Sequence, residues 1–239
     1  MANTESVDIR RADDRGLTTT DWLQSRHSFS FGDYYDPDNT HHGLLLVNND
    51  DVVAPVAGFD THPHRDMEIV TWVLQGELTH RDSMGNSGVV YPGLAQRMSA
   101  GTGVTHSEKN GSASEPVHFV QMWVVPDEAG LTPGYQQSEI ELTGALTPIA
   151  SGATDAAVSL HNRNATLHVA RLQAGDGVEL PQARYVHLFV ARGKVTLEDA
   201  GALGAGDAAR LTESGGQRVL AAAPAEILVW EMHANVTGA

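Results

Sequence analysis

Cysteine is absent from the 239 residues, which removes disulfides, thiolate nucleophiles and zinc–thiolate sites together and suits a reducing compartment. No run of 18 or more apolar residues occurs, and Met1 to Arg15 is polar and charged without an apolar central segment. Neither a membrane span nor a secretory signal is predicted, and a cytoplasmic location is the expectation. Basic residues are scarce as well: 15 Lys and Arg stand against 30 Asp and Glu, a formal charge of −15. Such a field repels phosphate backbones and anionic membrane surfaces, so direct nucleic-acid binding is not expected, and the acidity mainly serves solubility. Helix signals are also few, with residues 21–24 the single stretch that reads as helical.

What is present is a β pattern. A hydrophobic content of 41% supports one large or two small domains. Gly and Pro recur at short intervals between brief apolar runs, predicting strands at 43–47, 67–74, 77–81, 89–91, 95–99, 104–107 and 117–125. Ser83-Met84-Gly85-Asn86 and Pro92-Gly93 mark turns between them. Short strands at regular spacing argue for a sandwich or barrel. The second half repeats the first. Val73-Leu74-Gln75-Gly76-Glu77-Leu78-Thr79 matches Val190-Ala191-Arg192-Gly193-Lys194-Val195-Thr196, and Gly93 to Met98 matches Gly206 to Leu211. Trp123 is echoed by Trp230. Two barrels of one design are therefore expected, at 1–135 and 161–239, joined by a linker at 136–160 within a stretch rich in Gly, Thr, Ser and Ala.

Chemistry concentrates in two strings, His62-Pro63-His64 and His106-Ser107-Glu108. Residues i and i+2 of a strand share a face, so two such pairs can aim three imidazoles and one carboxylate at one ion. That donor set suits Fe(II), Ni, Cu, Co, Mn or Zn, whereas calcium and magnesium prefer oxygen alone. Apolar, β-branched residues follow His64 closely, placing the pair at the mouth of a buried strand, where ionisable groups are costly unless paired or metal-bound. Projected through the repeat, His62 and His64 fall on Glu179 and Pro181, and His106 and Glu108 on Val219 and Ala221, so no second metal site is expected. His187 and His233 have no partner at strand spacing and read as structural. Arg65, Asp66 and His80 lie near the strings but receive no chemical role. Asp36-Pro37-Asp38-Asn39 and Asn48-Asn49-Asp50-Asp51 lack the spacing and closing glutamate of a calcium loop and read as turns.

Longer motifs carry a family resemblance. The string from Gly58 to Glu68, then Gly76, Asp82 to Asn86, and Met98-Ser99-Ala100-Gly101-Thr102-Gly103-Val104-Thr105-His106-Ser107-Glu108 resemble the signature of the pirin family of cupins. His27 to Pro37 is similar to the N-terminal segment of its bacterial members. The resemblance covers residues 20–135 strongly and the rest in outline. It implies an all-β chain of two cupin, jelly-roll-like barrels, with one metal, iron(II) above Ni, Co, Mn, Cu or Zn, held in the first by His62, His64, His106 and Glu108. Glu68, which matches the glutamate of the wider cupin pattern, is left a supporting or structural role. Bacterial relatives imply quercetin 2,3-dioxygenase activity, with a polyphenol and O₂ as small-molecule partners. Glu108 would then be the base that takes the flavonol proton, or a permanent ligand. Pirin relatives in nuclear settings imply the alternative, a metal- or redox-responsive protein that binds a regulatory protein without catalysis. A monomer is expected, since paired barrels cover much of their own surface.

Overall fold

The computed structural model describes residues 6–236. Its regular structure is 22 strands and a single 3₁₀ turn, Ala12–Asp14. Two large and two small sheets build two barrels. In the first, a seven-stranded sheet runs Gly134–Glu139, Leu94–Ser99, Glu68–Gln75, Val117–Val124, Leu45–Val53, Leu23–His27, Gly16–Thr19, and its four-stranded companion runs Gly58–His64, Val104–Asn110, Leu78–Asp82, Ser87–Val90. Buried Leu23, Val53, Val73 and Phe119 of the large sheet pack with Leu78 and Val90 of the small one and close this barrel. In the second, Ser6–Arg10, Ala208–Ser214, Ala183–Arg192, Ala225–Met232, Ala165–Leu172, Thr147–Ser151 and Val158–Ser159 oppose Gly177–Glu179, Arg218–Ala221, Lys194–Leu197 and Gly201–Gly204.

The repeat seen in sequence is a repeat of topology. Val117–Val124, with Trp123, lies between Glu68–Gln75 and Leu45–Val53, just as Ala225–Met232, with Trp230, lies between Ala183–Arg192 and Ala165–Leu172. Gly76 and Gly193 end equivalent strands with φ of 78° and 79°. A Cβ on Gly76 would come within 2.8 Å of the Pro116 carbonyl oxygen, and one on Gly193 would strike that of Pro224. A residue without a Cβ is needed at both turns.

Three placements differ from the sequence expectations. The strands cross the expected boundaries: Ser6–Arg10 pairs with Ala208–Ser214 of the second barrel, taking the edge that Gly134–Glu139 fills in the first. Thr147–Ser151 and Val158–Ser159, from the stretch read as linker, are also strands of the second barrel. Both arrangements cover sheet edges that would otherwise leave backbone groups unpaired. Residues 21–24 are not helical: Leu23–His27 is a strand whose Leu23, Ser25 and His27 are buried in alternation with Gln24 and Arg26. Asn48 to Asp51 is no turn but the middle of Leu45–Val53, with Asn48, Asn49 and Asp51 all buried.

One apolar cluster crosses between the barrels and includes Phe29, Trp72, Met122, Ile149, Phe189 and Trp230. Polar clamps secure it. Trp72 Nε1 donates to Glu226 Oε1 at 2.6 Å, and buried Glu68 accepts from Ser99 Oγ at 2.9 Å and from the His161 amide at 3.2 Å. Glu68 thus has a structural place at this seam. Among the described residues, no helix is long and apolar enough to cross a membrane.

Candidate metal centre

The two histidine strings meet on the small sheet of the first barrel. His106 lies directly opposite His62, and Val104 opposite His64, in an antiparallel pair. Because Gly58–His64 is the outer strand of this sheet, Pro63 interrupts no ladder on its free side. His64 does not lead straight into the buried strand. A turn at Asp66, φ 47°, separates Gly58–His64 from Glu68–Gln75, so the pair occupies a strand and a sheet of its own.

Three imidazoles converge on this sheet. Ring centroids are 4.5 Å apart for His62 and His106, and 4.8 Å for His62–His64 and His64–His106. One nitrogen from each lies within 4.8 Å of the others. His62 Nδ1 is 2.7 Å from the Asp60 carbonyl oxygen, an acceptor only, so Nδ1 carries the proton and Nε2 keeps a free lone pair. The Nε2 atoms of His64 and His106 are buried without a hydrogen-bond partner. Orphaned, inward-facing imidazole nitrogens are expensive in a metal-free protein and are what a divalent transition metal would use, so the donor set fits such an ion.

Glu108 is buried two residues beyond His106, on the same face. Its oxygen groups with nitrogens of His106 and His80, not with the complete histidine triangle. Gln121 Nε2 donates to both of its oxygens at 2.9 Å, and Trp123 Nε1 donates to Gln121 Oε1 at 3.0 Å, which fixes the carboxylate from the large sheet. Gly58 permits this arrangement. Its φ is 147°, and a Cβ there would collide with the Glu108 carbonyl oxygen and lie 2.8 Å from Lys109 Cα, beside the irregular register between His106 and Glu108. Gly58→Ala is therefore expected to lower the unfolding free energy measured by denaturant titration by about 1–3 kcal/mol and to weaken metal binding with it.

Gln121, Trp123, His80 and Asp82 were not assigned from sequence. His80 Nδ1 lies 3.4 Å from His106 Nδ1 and its Nε2 lies 3.4 Å from Asp82 Oδ2, so an Asp82–His80–His106 chain can hold the His106 proton on Nδ1. A signal existed: His80 and Asp82 have the same i, i+2 spacing as the other pairs.

Protonation follows from burial. Desolvation pushes the Glu108 carboxyl up to about 7, against the stabilising Gln121 bonds. It lowers His64 to about 4, helped by His62, and His106 to about 2, helped by His62, His64 and His80. Metal must displace any proton its ligands hold. Burial disfavours the Glu108 carboxylate and the His64 imidazolium, so for an ion that takes both as donors the affinity is expected to fall by about tenfold per pH unit below about 7, and more steeply below about 4. Competition titration against a chromophoric chelator from pH 8 to 4 checks this, and a pH-independent affinity would contradict it.

Beside these groups opens a cavity of about 310 Å³, lined by His62, His64, Glu108 and Gln121 together with Phe31, Phe59 and Trp123. In the second barrel Val178 lies opposite Val219 in an apolar core, and the His/Asp/Glu clusters found among the described residues belong to the first barrel.

Comparison with known proteins agrees with this architecture. Residues 9–124 match the pirin family profile, and residues 149–232 match the quercetinase C-terminal cupin domain. A Mycobacterium tuberculosis protein provisionally named a quercetin 2,3-dioxygenase is 64% identical over 238 residues, 98% of each chain. An Escherichia coli protein named quercetin 2,3-dioxygenase is 41% identical over 191 residues, 79% of this chain and 83% of its own. The crystal structure of the bacterial pirin YhhW of Escherichia coli in complex with nickel(II) superposes with a TM-score of 0.89 at 36% identity, covering 97% of this chain and all of that one.

Proposed function

The chain belongs to the pirin family of two-barrel cupins, and on that premise we propose that it is a metal-dependent dioxygenase that opens the heterocyclic ring of flavonols such as quercetin with O₂. One observation carries the reading: three convergent imidazoles, two with buried and unpartnered Nε2 atoms, stand together beside an aromatic-lined cavity whose wall includes His62 and His64. His62, His64 and His106 would hold the ion with Glu108 as a fourth donor. Iron(II) is the proposed metal, and the same donors accept Ni, Co, Mn, Cu or Zn. Once bound, the metal supplies a Lewis acid that acidifies the 3-hydroxyl of a 3-hydroxy-4-keto flavonol and orients it.

The protein supplies the rest. Glu108, the carboxylate of the donor set, would take the proton from that hydroxyl, and its burial raises its affinity for a proton above that of an exposed carboxylate. The Gln121 amide keeps both carboxylate oxygens in place while this happens. Phe31, Phe59 and Trp123 line the cavity and offer flat apolar surface to an aromatic ligand, displacing water from the reacting face. An oxygen electrode tests the proposal: metal-loaded protein with quercetin is expected to consume O₂ while the chelator-stripped protein does not. No uptake by protein carrying one metal per chain would refute the activity.

A further inference from the structure

Besides the buried histidines and Glu108 of the small sheet, the first barrel buries a band of polar residues on its large sheet. Across five strands of the large sheet, His27, Asn49, Gln121, Thr71 and Gln96 lie opposite one another in continuous register. Asp51 sits one row away, paired with Ser25 and Phe119. Most of this band is spoken for. His27 Nδ1 bonds Asn49 Oδ1 at 2.8 Å, His27 Nε2 bonds Thr18 Oγ1 at 2.9 Å, and Gln121 holds Glu108. Asp51 differs. It is 4% exposed and lines the cavity, and its Oδ1 has no hydrogen-bond partner. A buried carboxyl oxygen left unpaired is a standing penalty that a fold keeps where a ligand relieves it.

We propose that Asp51 sets substrate specificity by accepting a hydrogen bond from a phenolic hydroxyl on the part of the flavonol remote from its 3-hydroxy-4-keto group. This rests on the flavonol reading above. The geometry supports it, because Asp51 stands on the large sheet while the histidines stand on the small one, so a ligand held at the histidines would cross the cavity to reach it. Burial pushes the Asp51 carboxyl up to about 7, with Ser25 opposing and Asp50 and Glu108 adding to the rise. A phenol can donate to the carboxylate or accept from the acid, so the pair forms on either side of that value.

Anaerobic spectral titration of metal-loaded protein separates the outcomes, using quercetin and 3-hydroxyflavone, which lacks every hydroxyl except the chelating one. The wild type is expected to bind quercetin about 10–100-fold more tightly. In Asp51→Leu the gap is expected to shrink to about threefold or less through loss of quercetin affinity, with 3-hydroxyflavone unaffected. Metal-free Asp51→Leu is also expected to melt above the wild type, because it removes an unpaired buried acceptor; a purely structural aspartate would give a lower melting temperature. Asp51→Ala, which offers no hydrogen bond and adds no bulk, is expected to narrow the gap even if the leucine variant fails to fold. An unchanged gap in the variants that fold overturns the Asp51 assignment and leaves the flavonol reading standing. Failure of both ligands to bind the wild type overturns both.

Discussion

His106→Ala is expected to abolish metal binding. Its ring is the common corner of the cluster, with centroids 4.5 Å from His62, 4.8 Å from His64 and 5.2 Å from His80. Removal deletes one donor and leaves His80 Nδ1, which faces His106, without its partner. The loss should exceed the ~10–100-fold typical of outer hydrogen-bonding partners, so on the order of 10²-fold or more in affinity, with oxygen uptake falling in proportion. His80→Ala or Asp82→Asn should fall inside that smaller range, because each acts only by orienting His106. Isothermal titration with the metal and elemental analysis after desalting read both. Retention of one ion per chain by the His106 variant would remove the imidazole triangle from consideration.

Glu108→Gln should separate turnover from metal binding. Glutamine preserves the volume and can still meet Gln121, yet it cannot take a proton. At saturating metal, turnover with quercetin is expected to fall by about 10²–10⁴-fold, the range attributed to a positioned general base, while one ion per chain is still bound. The pH dependence of metal affinity should flatten between pH 5 and 7 in the same variant, since the carboxyl that burial raises to about 7 is gone. Loss of the metal with no further loss of turnover at saturation would make Glu108 a ligand alone.

The convergence of His62, His64 and His106 is legible because strand periodicity is a local property: two residues apart means one face, whatever the partner strand. His80 and Asp82 carry the same signature, but the chain alone does not show that Leu78–Asp82 lies beside Val104–Asn110, with His80 opposite Glu108. Asp51 and Gln121 were harder. A run such as Asn48-Asn49-Asp50-Asp51 has turn chemistry by composition, and it is a strand here because its side chains answer others across the sheet: Asp50 meets His118 Nε2 at 2.5 Å and Arg15 at 3.1 Å, and Asn49 meets His27. The placement of Ser6–Arg10 in the second barrel was equally hidden, since a half-exposed edge strand lacks clean alternation and its partner lies some two hundred residues away. The two-barrel plan could be read early because glycines at equivalent turns, Gly76 and Gly193, are dictated by backbone geometry and recur in the sequence.

Metal K-edge X-ray absorption on protein reconstituted with iron(II), before any substrate is added, is the most direct test of the centre. Three imidazole rings and at least one oxygen donor should appear around the ion, and the imidazole signal should drop by one ring or vanish in His62→Ala. A spectrum of oxygen donors alone, or one that His62→Ala leaves unchanged, would place the metal elsewhere and contradict the proposed site.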